Sequence, residues 1–154
     1  MTLYQKMIMF LATGAYTGKS PVVPGTIGTI AAIPFALIFL IISPPFIGVY
    51  VVSLILAAIF IADQAEKILG QKDPGCIVID EIAGYVVALS IVPVTVSTII
   101  AGFFLFRLFD IVKIGPVKYF ERKFPGGAGV VLDDVMAGIM SAIVLRILYL
   151  SGLF

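Results

Sequence analysis

"IVIDEIAGYVV", residues 77–87, sets two adjacent carboxylates, Asp80 and Glu81, in a run of Ile, Val and Ala. The apolar residues read as the start of a buried or membrane helix, and the acids read as a cost within it. "VVLDDVMAGIM", residues 130–140, repeats the arrangement with Asp133 and Asp134. Each stretch follows a glycine-containing turn, "DPG" at 73–75 and "PGG" at 125–127. Ionisable groups at membrane depth are expensive and are functional by default, so the two pairs demand a reason.

Composition says what surrounds them. The chain has 154 residues, 61% hydrophobic and only 12% charged, whereas a soluble domain carries roughly a quarter charged residues. The fold expected is all-α, a polytopic membrane helix bundle formed by residues 1–154 as a single domain. The net charge of +1 offers no basic surface, so nucleic acid is excluded as a partner. Cys76 is the one cysteine, so no disulfide forms within the chain, and histidine is absent. The opening "MTLYQKMIMFLATGAY" does not read as a cleavable signal peptide.

Residues 20–62 contain no charge, and Pro44-Pro45 divides them into expected spans at about 26–42 and 46–62. Each is near the ~20 residues that cross the hydrocarbon core. Further spans are expected at about 77–92, 96–112 and 130–150, giving about five, with residues 1–13 as an N-terminal interfacial helix. The period-2 alternation of a β-barrel is absent, so the spans must be helices. Charged connections alternate with uncharged ones: "SPPF" and "PVTVS" carry none. The positive-inside rule therefore makes the charged side cytoplasmic. Arg146, toward the other face, reads as a snorkelling anchor. Asp63, Glu66 and Asp73 are expected in a solvated loop between the second and third spans.

With this topology Asp80, Glu81, Asp133 and Asp134 enter spans from the cytoplasmic face, and Asp110 ends the span that returns there. Five carboxylates from three helices share one depth, where they would repel one another unpaired. Mg²⁺ suits such oxygen ligands and also takes phosphate oxygens. Capping and the helix dipole account for one acid per helix, but not for two pairs plus Asp110. Arg107, Asp110 and Lys113 lie three residues apart on one helix face. Arg107 reads equally as the ion-pair partner of Asp110 and as a phosphate ligand, and Lys113 equally as a phosphate ligand and as a snorkelling cation. "TGKSPVVPGTIGT", residues 17–29, offers backbone amides with Lys19, Ser20 and Thr26 as further donors to an anion. It is not a P-loop, because the upstream glycine and preceding strand are missing.

Three blocks in order, "GKSPVVPGTIGTIAAIP", "DPGCIVIDEIAGY" and "FRLFDIVKIGPVKYFERKFPGGAGVVLDDVMAG", resemble the phosphatidylglycerophosphatase A family. They run from residue 18 to 138. The resemblance implies a multi-pass enzyme of the bacterial cytoplasmic (inner) membrane with its active site at the cytoplasmic face. It implies a Mg²⁺-dependent phosphatase that converts phosphatidylglycerophosphate to phosphatidylglycerol and inorganic phosphate. The family's acidic pairs fall on Asp80 with Glu81 and on Asp133 with Asp134. Its "FRxxDxxK" block falls on Arg107, Asp110 and Lys113, and its N-terminal loop on Ser20, Pro21, Pro24, Gly25, Thr26 and Gly28. Some members carry histidine where Pro125 stands here, so no mechanism for this chain can need one.

The expected site is Asp80, Glu81, Asp110, Asp133 and Asp134 as metal ligands and catalytic groups. Lys19, Ser20, Thr26, Arg107 and Lys113 are the expected phosphate ligands. A histidine-nucleophile phosphatase is impossible here, and a cysteine phosphatase lacks its arginine after Cys76. The rival from another class is an ion-coupled transporter that uses the intramembrane carboxylates.

Overall fold

A computed structural model describes residues 1–113 and 115–153, apart from the side chains of Glu121 and Arg122. Those two charges, expected in the loop before the last span, lie outside the described residues. Among the described residues every regular element is helical. In chain order they are α1 (Leu3–Ala12), a 3₁₀ turn (Thr17–Lys19), α2 (Pro24–Ala31), α3 (Ile33–Leu37), a second 3₁₀ turn (Ile38–Leu40) and α4 (Pro44–Leu69). α5 (Ile79–Leu89), α6 (Val96–Val112), α7 (Pro116–Lys123) and α8 (Gly127–Leu150) follow.

Two helices, α4 and α8, are long and apolar enough to cross a membrane. The region expected as a first span is broken instead. Pro34 enters α3 near its start, removing a backbone donor, and the run ends in 3₁₀ geometry. α5 has only 11 residues, about 16 Å at 1.5 Å per residue, so it is too short to span alone. It is the central helix: from Ile79 to Leu89 only Glu81 escapes full burial. A helix wrapped by others need not match the thickness of a bilayer, because protein rather than lipid surrounds its backbone.

α4 corrects a second expectation. Pro44 and Pro45 open the helix, where a missing N–H costs nothing. The helix then runs past residue 62 to Leu69 and ends on Gly70 in the left-handed region, at φ 64°. Asp63 and Glu66 are therefore helical, not loop residues. Ala62, Ala65 and Ile68 keep that last stretch packed on the bundle. The polar loop expected before the last span also contains a helix, α7, with Val117 buried.

Apolar residues face outward in stripes at helical spacing: Val49, Val52, Leu56 and Phe60 on α4, and Ile100, Phe104, Leu108 and Ile111 on α6. Soluble monomers do not expose contiguous apolar surface on this scale, whereas lipid accepts it.

The interior is built on small residues. α5 and α8 run parallel and touch backbone to backbone. A methyl group on Gly84 would sit 2.6 Å from the Asp134 carbonyl oxygen, and one on Gly138 would overlap the Gly84 carbonyl. Such glycines let helices approach where no hydrophobic drive separates side chain from lipid. α6 runs antiparallel beside the pair: Gly102 faces Leu89 and Leu145, and Phe106 faces Gly84. The Tyr85 hydroxyl donates to the Ile99 carbonyl at 2.7 Å, fixing α5 to α6 inside the core.

Candidate active site

Two acidic helix turns arrive side by side because of the glycine contact. Asp80 lies one turn before Gly84, and Asp134 one turn before Gly138. Bringing the glycines together brings the carboxylates together. One oxygen from each of Asp80, Glu81 and Asp134 lies within 4.8 Å of the other two. Asp80 and Asp134 are 8% and 4% exposed.

The five expected carboxylates do not form one uniform cluster. Asp110, from the last turn of α6, is close enough to repel Glu81 and Asp134, but its Oδ2 accepts from Arg107 at 2.5 Å. Asp133 sits about 100° around α8 from Asp134, and its Oδ2 accepts from the Lys113 ammonium at 3.0 Å. The arrangement is a buried trio flanked by two carboxylate–cation pairs. Lys113 ends α6 in the left-handed conformation, at φ 48°, which turns the chain as it leaves the helix.

The N-terminal segment reaches the same place. A methyl on Gly25, in the first turn of α2, would overlap Glu81 Oε1 and lie 3.0 Å from a terminal nitrogen of Arg107. The α2 backbone thus lies against the ends of both side chains. The start of α5 is tied to the same segment: the Val78 amide donates to the Ala12 carbonyl at 2.9 Å, and Gly18 packs on Cys76. Thr26 follows Gly25 and is half-buried. The other two expected donors are engaged elsewhere. The Lys19 ammonium stacks on the Tyr16 ring at 4.6 Å. Ser20 Oγ donates to the Val22 carbonyl at 2.9 Å and accepts from the Val22 amide, closing a local turn.

The donor set fits a hard divalent cation. Asp80 Oδ1 and Glu81 Oε2 are buried and have no hydrogen-bond partner among the described residues. Unpaired buried charge of this kind is strongly unfavourable. Three acidic side chains with converging oxygens and no nitrogen or sulfur ligand match Mg²⁺ rather than a softer metal. Sequence reasoning missed Gly84 and Gly138, whose recurrence four residues after Asp80 and Asp134 was the available signal. It also missed the helical placement of Asp63 and Glu66, which the unbroken apolar spacing up to Gly70 would have signalled.

An all-helical bundle with acids gathered at one end, flanked by an arginine and a lysine, fits the class of helical hydrolases that act on an anionic group. The chain belongs to the phosphatidylglycerophosphatase A family, which matches residues 10–149, and it is accordingly a phosphoric monoester hydrolase. It is 37% identical over 143 residues to the phosphatidylglycerophosphatase A of Escherichia coli, covering 92% of this chain and 81% of that one. The Haemophilus influenzae protein of the same name is 33% identical over 139 residues, covering 89% and 85%. A Bacteroides thetaiotaomicron protein provisionally named phosphatidylinositol-3-phosphatase is 39% identical over 150 residues, covering 90% and 91%. No solved structure matches the chain.

Proposed function

We propose that this protein is a Mg²⁺-dependent lipid phosphatase. It hydrolyses the terminal phosphomonoester of phosphatidylglycerophosphate to phosphatidylglycerol and inorganic phosphate, at the cytoplasmic face of the bacterial inner membrane. The carrying observation is the buried trio of Asp80, Glu81 and Asp134 with its unpartnered oxygens, set beside Arg107 and Lys113 in a chain of this family.

Asp80, Glu81 and Asp134 would hold the ion, and Asp110 stands close enough to join them. Bound there, Mg²⁺ supplies Lewis-acid polarisation of the phosphoryl oxygens and neutralises charge as the ester is cleaved. The protein's own groups do the rest. Arg107 and Lys113 are held in place by Asp110 and Asp133 and offer donors to the phosphoryl oxygens. The Gly25 backbone, pressed against Glu81 and Arg107, closes one side of the site. In the reaction water forms the new P–O bond and the bond to the glycerol oxygen breaks; a carboxylate takes the water's proton and a proton is returned to the departing glycerol oxygen, there being no histidine to do either.

The five-pass topology belongs to the same proposal. The broken helix at 24–40, then α4, α5, α6 and α8, alternate in direction, with the lysine-bearing connections at the carboxylate end. This puts the site at the depth of a lipid headgroup. The transporter reading is not favoured, because the acids gather toward one end of the bundle instead of at a midplane site.

The test is phosphate release by purified protein in lipid nanodiscs. Phosphatidylglycerophosphate, phosphatidylinositol 3-phosphate and soluble glycerol 3-phosphate are offered separately, with and without Mg²⁺. Fastest release from phosphatidylglycerophosphate, dependent on Mg²⁺, is expected. Equal or faster turnover of the inositol lipid would reassign the substrate, and no release from either lipid would remove the function.

A further inference from the structure

Neither acidic helix caps itself. The residues that precede them, Val78 before α5 and Gly126 before α8, offer no side-chain acceptor to the first backbone amides. Each also follows a turn that is loose by composition, "QKDPGC" before α5 and "FPGGAG" before α8. The alignment of the trio depends on where these two helices begin; the Val78–Ala12 hydrogen bond holds α5 from one side, and a second hold comes from α4.

The last two turns of α4 lie against the turn that leads to α5 and against the beginning of α8. Glu66 Oε1 accepts from the Asp73 amide at 2.7 Å. Asp73 is a non-glycine residue at φ 46°, a strained conformation that needs an external hold. One turn earlier, the Asp63 carboxylate stands beside the backbone amide of Gly127, the first residue of α8. Gly127 packs directly on the Ile59 and Asp63 backbone, so α8 starts in contact with α4. A methyl on Gly126 would lie 3.0 Å from Asp63 Oδ1 and 3.9 Å from Glu66 Oε2. The two acids thus stand on one face of one helix and grip the turns that lead to Asp80 and to Asp134.

Asp63 also pairs with Lys67 at 2.6 Å, but the lysine side chain is 65% exposed. Such a surface pair is worth little. The useful property of Asp63 is its acceptor oxygen at the start of α8.

We infer that Asp63 and Glu66 are positioning residues: α4 acts as a ruler that sets the start of α5 and α8 relative to each other, and so the spacing of Asp80, Glu81 and Asp134. The inference rests on the reading of that trio as the metal site. It departs from the sequence expectation that both stand in a solvated loop.

Four variants and one control test it: Asp63→Ala, Glu66→Ala, Asp63→Asn, Glu66→Gln and Lys67→Ala. The readouts are Mn²⁺ affinity by electron paramagnetic resonance, exchange of the Asp73 and Gly127 amides, and lipid turnover. In the alanine variants Mn²⁺ affinity and turnover should each fall about 10- to 100-fold, as for groups that orient metal ligands. KM should stay unchanged, and the amide whose acceptor was removed should exchange faster. The amide variants keep a carbonyl acceptor and should stay near wild type, as should Lys67→Ala. Alanine variants with wild-type Mn²⁺ affinity and turnover would overturn the inference. So would amide variants that fall as far as alanine, since charge and not the acceptor would then matter. Where an alanine variant does not fold, its amide partner decides: retained affinity with a protected amide supports the inference, and lost affinity overturns it. If the wild-type protein releases no phosphate while Mn²⁺ affinity and amide exchange follow the pattern, the positioning stands and the lipid-phosphatase reading fails.

Discussion

Gly84 of α5 lies directly against the carbonyl oxygen of Asp134 on α8, so close that a methyl in place of its hydrogen would stand 2.6 Å from that oxygen. One turn on, Gly138 returns the contact to the carbonyl of Gly84. A helix crossing without side chains between the backbones places an acid of one helix beside an acid of the other. Packing and chemistry are set by the same two residues.

Substitution at that crossing should therefore damage stability and activity together. Gly138→Leu forces the helices apart, and overpacking of this kind costs about 1–3 kcal/mol. Thermal unfolding in detergent should show a lower Tm, with turnover lost beyond what the unfolded fraction explains. Gly48→Ala is the contrast, because a methyl there meets nothing within 4 Å. Within α4 it should stabilise by up to about 1 kcal/mol. A Gly138→Leu protein with unchanged Tm would show that α5 and α8 do not cross this way.

The trio and the flanking acids should separate under neutral substitution. Asp80→Asn and Asp134→Asn remove a charge from a site with no described counter-ion of its own, so turnover should drop more than about a hundredfold. Their folded states should be as stable as wild type or more so when Mg²⁺ is absent, because like-charge repulsion is relieved. Asp133→Asn removes the partner of Lys113 instead and should cost less. Measuring kcat and Tm for the three variants side by side decides it. Equal losses at all three positions would dissolve the distinction.

Chelation should abolish activity, and Mg²⁺ should restore it. The ion should also stabilise the fold, since it binds the native carboxylates and not the unfolded chain. At a hundred times its Kd the gain is about 2.7 kcal/mol. A differential scan with and without Mg²⁺ reads this directly. In Asp134→Asn the Mg²⁺-dependent rise in Tm should be largely gone.

Arg107 should not tolerate exchange for lysine. Its guanidinium reaches Asp110 at 2.5 Å while lying beside Gly25 and Glu81, a task for a planar fork and not for a point charge. Arg107→Lys is expected to lower kcat/KM by about tenfold or more, with the folded protein preserved. Near-wild-type kinetics would reduce Arg107 to a charge-balancing role.

Topology can be read by thiol labelling in a Cys76→Ser background. Pro45→Cys should react with an impermeant reagent from outside the cell, and Lys118→Cys only after the membrane is opened. Labelling of both from the same side would overturn the alternation of passes.

The sequence by itself determined the class of fold and the neighbourhood of the chemistry. Its long apolar runs, without the alternation of a barrel, called for helices, and every regular element among the described residues is helical. Asp80 and Glu81, after the "DPG" turn, fell in the first turn of α5 and Asp110 in the last turn of α6, whereas α8 begins already at Gly127, so Asp133 and Asp134 lie in its second turn and not in the first turn expected. The number of passes was not legible in the same way. Hydrophobic burial is non-directional, so the run around residues 77–92 reads alike whether lipid or other helices cover it, and the structure shows α5 to be short and enclosed. Nor could the sequence rank two adjacent aspartates. Asp133 and Asp134 are neighbours in the chain, but a helix turns about 100° per residue. One therefore faces Lys113 and the other joins Asp80 and Glu81. That choice, and the contacts of Asp63 and Glu66 with the turns before Asp80 and Asp134, come from the rotation and packing of helices far apart in the chain, which only the tertiary structure decides.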